Sequence, residues 1–105
     1  MNRTEISNVV DHVVDDFLAK AQAARESRQR ARRQIASDRS CGAMAKTFTA
    51  FQKNDATVHG VAARAHKRAR RACMEAGFTL LAEYHSLCQD SHQILANERM
   101  RAARK

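Results

Sequence analysis

Apolar residues recur every three or four positions from the start of the chain. Ile6, Val10, Val13, Phe17, Ala21, Ala24, Ala31 and Ile35 form one stripe, widened early by Val9, Val14 and Leu18. That repeat predicts an amphipathic helix over residues 4–37. Asn2 followed three residues later by Glu5 supplies a capping box at its start, and "SDRSCG" (37–42), ending in Gly42, reads as its stop. A short second helix over 43–53 carries Met44, Phe48 and Phe51 on one face. Asn54–Asp55 then reads as a break, with Asp55 able to cap a long third helix over 56–100. Gly60 and Gly77 are the weak points of that helix.

The third helix changes character along its length. In its first half Ala62, Ala65, Ala69, Ala72 and Ala76 make a bare stripe, while Arg64, Lys67, Arg68 and Arg71 recur at helical spacing on another side. Its second half is broadly apolar, with Met74, Phe78, Leu81, Tyr84, Leu87 and Leu95 on a face too wide for one neighbour to cover. These six are therefore the expected protein–protein interface. Doubling the chain back near Gly42 sets Ile35 beside Val58, Ala31 against Ala62, Ala24 against Ala69 and Phe17 against Ala76 or Gly77. Val13 then meets Leu80, Val10 meets Tyr84 and Ile6 meets Leu87, so small faces small and large faces large. The expected architecture is a single all-α domain, an antiparallel helical hairpin with a short middle helix, dimerising into a helical bundle.

Composition sharpens the expectation of self-association. Among 105 residues there is no Pro and there are three Gly, which favours helix. Leu, Ile, Val and Phe together number only 18, too few for a large core, so stability should come from a second copy or a partner. Charge then narrows the partner. The net charge is +8 with a pI near 10.3. Residues 25–39 hold six Arg against Glu26 and Asp38, and residues 64–71 hold five cations and no acid. The hairpin would bring both clusters to the turn, where they repel one another unless an anion sits between them. Arg outnumbers Lys, which suits forked contacts to phosphate, and no aromatic is interleaved, which argues against base stacking.

The function expected is therefore binding of a nucleic-acid phosphate backbone, DNA or RNA, with little sequence preference, as a subunit of a larger nucleoprotein assembly. Its candidate contacts are Arg25, Arg28, Arg32, Arg33, Arg64, Lys67, Arg68 and Arg71. The alternative is a helical adaptor, chaperone or inhibitor docking on an acidic protein surface.

Other chemistry is thinly represented. His85, Cys88 and His92 stand at i, i+3 and i+7 and could face a metal together, with His12 approaching from the first helix. Leu81 and Leu95 continue that row, so Cys88 reads more simply as a small core residue. Cys73 follows a run of cations that would activate a thiol, but it falls at the edge of the alanine stripe. With no phosphate loop and no paired carboxylates on one face, the chain reads as a non-enzyme without a cofactor. Three irregularly spaced cysteines do not make a disulfide framework and fit a reducing, cytoplasmic setting. No signal peptide, membrane-spanning segment or membrane-surface wedge is expected.

Overall fold

The structure, a computed structural model, describes residues 1–104, and the ordered elements are all helices. They are α1 (Arg3–Lys53), α2 (Ala56–Ala76) and α3 (Thr79–Ala103). The chain divides into two units, Met1–Ala31 and Arg32–Lys105.

The first unit is helical from Arg3. Its start is the capping box: Asn2 Oδ1 accepts from the Glu5 backbone N–H at 2.8 Å, and Glu5 Oε2 accepts from the Asn2 N–H at 3.2 Å. Two i,i+4 pairs support the middle, Lys20–Asp16 at 2.9 Å and Gln22–Glu26 at 3.0 Å. The apolar stripe from Ile6 to Leu18 is exposed, Phe17 by 68%.

The second unit is a three-helix bundle of α1 residues 32–53, α2 and α3. Alanine makes the close contacts. Ala36 packs with Ala72, Cys73, Ala76 and Ala82, and Ala43 packs with Ala65 and Ala69. Side chains this small let helix backbones approach closely, at the cost of little apolar area.

Three expectations from the sequence are corrected here. First, α1 runs unbroken through Gly42, so there is no separate helix over 43–53. A methyl group at Gly42 would meet nothing within 4 Å, so this glycine costs only its backbone entropy, about 1 kcal/mol, and its neighbours outvote it. The turn lies at 54–55 instead. Asn54 takes the left-handed conformation (φ 51°), its N–H bonds the Ala50 carbonyl at 2.7 Å, and Asp55 caps α2 by accepting from the Val58 N–H at 3.0 Å.

Second, moving the turn moves the register. The partner of Ala69 is Ala43, not Ala24, and Ala72 and Ala76 face Ala36. Third, the long helix expected over 56–100 is cut at Gly77 (φ 82°). Gly77 N–H bonds Met74 O at 3.1 Å and Phe78 N–H bonds Cys73 O at 2.8 Å, while the Phe78 ring packs over the cluster around Cys73. Glycine supplies the left-handed residue and Phe78 the apolar clasp of this helix stop.

Candidate nucleic-acid interface and a buried histidine network

Four of the five Lys and Arg side chains of α2 are exposed, and α1 adds two more beside Arg68. Arg64, Lys67, Arg68 and Arg71 all face solvent. A shallow groove of about 250 Å³ between α1 and α2 is lined by Arg39, Lys46 and Arg68, with Asp38 as its one acid and Gly42, Ala43 and Ala65 as its floor. Among the described residues the only ion pair is Lys20–Asp16 in the first unit, so Asp38 is the one carboxylate in this groove and it forms no ion pair with these cations. Arg32 and Arg33 are exposed too, but the shifted register sets them beside the far end of α2 rather than beside Arg64–Arg71. Arg25 and Arg28 belong to the first unit. The expected gathering of both clusters at a turn near Gly42 is thus replaced by Arg39 and Lys46 meeting Arg68. Arg39, one of the six arginines of the 25–39 cluster, and Lys46 were not among the eight expected contacts. On the α2–α3 side, the Nε of Arg70 is buried without a partner.

The core of the bundle is polar. His59, His66 and His85 have no exposed surface, and His92 has 3%. They are joined to one another and to α1 in a single chain of hydrogen bonds. Asn54 Oδ1 meets His59 Nε2 at 2.8 Å, and His59 Nδ1 meets His92 Nδ1 at 3.0 Å. Thr47 Oγ1 stands between His92 Nε2 at 3.2 Å and His66 Nε2 at 2.7 Å. His66 Nδ1 meets His85 Nδ1 at 2.8 Å, His85 Nε2 meets Ser40 Oγ at 2.8 Å, and Ser40 Oγ lies 3.5 Å from Cys73 Sγ.

An amide oxygen can only accept, and that fixes every proton in the chain. With the imidazoles uncharged, His59 donates from Nε2 to Asn54, so its Nδ1 accepts from His92. His92 Nε2 then accepts the Thr47 hydroxyl, whose oxygen accepts from His66 Nε2–H. His66 Nδ1 accepts from His85 Nδ1–H, His85 Nε2 accepts from Ser40, and Ser40 accepts from the Cys73 thiol. Every buried imidazole nitrogen is satisfied by this one assignment.

Burial disfavours the charged form of His66, His85 and His92, and neighbouring rings add to this at His66 and His92. The His66 pKa is lowered to about 4, by desolvation first and then by His85 and His92. His85 is lowered by desolvation, and His92 by desolvation and then by His59. No carboxylate stands in the network to hold a proton on any of them.

The three candidate ligands His85, Cys88 and His92 do not converge. His85 and His92 turn inward to His66 and His59, while Cys88 is half-buried on the wall of a groove between α1 and α3. His12 is exposed in the first unit. Among the described residues no three His, Cys, Asp or Glu are arranged to hold a metal. All three cysteines are free.

No known family, curated protein or solved structure matches this chain.

The expected interface residues divide. Leu81, Tyr84, Leu87 and Leu95 line the α1–α3 groove, which α1 walls with Met44, Phe48 and Phe51. Met74 is exposed on the α2–α3 side, and Phe78 is half-buried as the clasp described above. Among the described residues no helix is long and apolar enough to cross a membrane.

The network has a signal in the sequence. Ser40, Thr47 and Asn54 are spaced by seven, as are His59, His66 and Cys73, and His85 and His92. Polar residues at heptad spacing on three successive helices mark a shared interior row.

Proposed function

We propose that this chain is a small helical protein that grips a nucleic-acid phosphate backbone with the α1–α2 face, as a subunit of a larger nucleoprotein assembly. The observation that carries this is the line of Arg64, Lys67, Arg68 and Arg71 on α2, none of them in an ion pair, with Arg39 and Lys46 on α1 beside Arg68 and only Asp38 among them as an acid. Arginine forks fit phosphate oxygens bidentately. The aromatic residues Phe48, Phe51 and Tyr84 line the α1–α3 groove instead, so the basic face has nothing on which to stack bases. Recognition would follow backbone charge rather than sequence.

Anisotropy titration of labelled duplex DNA and RNA across salt concentrations tests this. Affinity should fall steeply with salt, and each of Arg64→Gln, Arg68→Gln and Lys46→Gln should reduce the log–log slope by roughly one. Polyglutamate serves as the protein-like polyanion. Tight binding to it, with none to nucleic acid at low salt, would replace this reading with docking on an acidic protein surface.

A further inference from the structure

Beyond polyanion binding, we propose that the α1–α3 groove is the seat for the N-terminal apolar stripe, residues 6–18, of a second copy of this chain. The exchange is reciprocal, each copy filling the other's groove.

Two large apolar surfaces of this one sequence lie uncovered. In the groove Phe48 is 64% exposed, Phe51 65%, Leu87 68% and Tyr84 44%. In the stripe Ile6, Val9, Val10, Val13 and Leu18 are each exposed by half or more, and Phe17 by 68%. Soluble chains rarely leave patches of this extent open unless something docks there. The groove consists of two adjoining hollows of about 390 and 380 Å³.

The two surfaces match in length. At 1.5 Å per residue the stripe from Ile6 to Leu18 is about 18 Å long, and the α3 wall from Leu81 to Leu95 is about 21 Å. They also match in area. The exposed stripe amounts to on the order of 700 Å², close to the ~800 Å² per partner of a stable interface, and reciprocal exchange doubles it. A helix in this groove completes a four-helix bundle, the arrangement in which three helices with a broad open face find closure. It also covers Thr47 and His92, which line the groove and belong to the buried network.

The test is light scattering after gel filtration of the full chain at moderate salt, without nucleic acid. Success or failure here is then independent of the polyanion reading. Wild type is expected at twice the 11.8 kDa chain mass. Phe17→Glu in the stripe and Leu87→Glu in the groove should each give monomers with undiminished helical circular dichroism, since both side chains are exposed. An equimolar mixture of the two variants should regain a dimer, because one intact stripe still meets one intact groove. Milder Phe17→Ala and Leu87→Ala variants, weakening the dimer about tenfold or more, guard against misfolding of the glutamates. A monomeric wild type overturns the proposal. So does a mixture that stays monomeric, because stripe-to-stripe pairing cannot be rescued by mixing.

Discussion

The interior of the bundle and its α1–α3 groove are built from opposite materials. Inside, the largest fully buried side chains are His59, His66, His85 and Cys73, set among alanines. Outside, Phe48, Phe51 and Leu87 stand mostly in water. A hydrophobic core would reverse these assignments. Alanine burial contributes little per residue, so area alone does not choose one register of these helices over another. The histidine chain does, because a slip of one helix leaves buried nitrogens without partners, at about 1–3 kcal/mol each. Polar contacts therefore specify how the bundle is aligned, while its large apolar side chains remain available for association.

Acid should attack the interior most strongly, since three lowered imidazoles respond together. A lowered histidine pKa means the unfolded chain binds the proton more tightly. The stabilisation is complete above the ordinary value near 6.5 and is lost as pH falls toward about 4. The groups facing these rings are each other, the Tyr84 and Phe51 rings, the hydroxyls of Ser40 and Thr47 and the Asn54 amide, with no carboxylate among them. Urea denaturation at pH 7.5 and pH 5 should show a clear drop in midpoint, and an unchanged midpoint would contradict an uncharged core. Next in size, His66→Ala removes bonds to both Thr47 and His85 and leaves a cavity, costing about 2–5 kcal/mol by the same measurement. Thr47→Val keeps the shape but strips an acceptor from His66 and a donor from His92, for about 1–3 kcal/mol. At the small end, Phe48→Ala in dilute, monomeric protein should shift stability by less than about 0.5 kcal/mol. A cost as large as that of His66→Ala would mean the groove belongs to the core after all.

The sequence displayed the helices well and their pairing poorly. The 3.6-residue repeat located the helical stretches, and the stripe from Ala62 to Ala76 is buried throughout, at 8% exposure or less. Gly42 misled because a glycine stops a helix only when its successors cooperate. Gly77 is followed by Phe78, which has a cluster to clasp, whereas Gly42 is followed by Ala43, which continues into the Ala65–Ala69 contact. Misplacing that one turn displaced every expected cross-helix pair. It also hid the meeting of Arg39 and Lys46 with Arg68. The histidines were visible as spacings of seven, but which imidazole meets which depends on the register, and that depends on Asn54.

Asn54 sits at the exposed turn, yet its amide decides which nitrogen carries hydrogen in four sealed rings. All seven links of the relay point one way because that oxygen stands at the end of it. Handing one proton in at the thiol end and along from ring to ring, with the Nε2 proton of His59 released to water at the turn, would invert each tautomer in turn. The inverted chain would present a lone pair where the oxygen now lies, and only rotation of the amide, offering its NH₂, could accommodate it. A single rotatable bond at the surface thus holds the orientation of the entire interior.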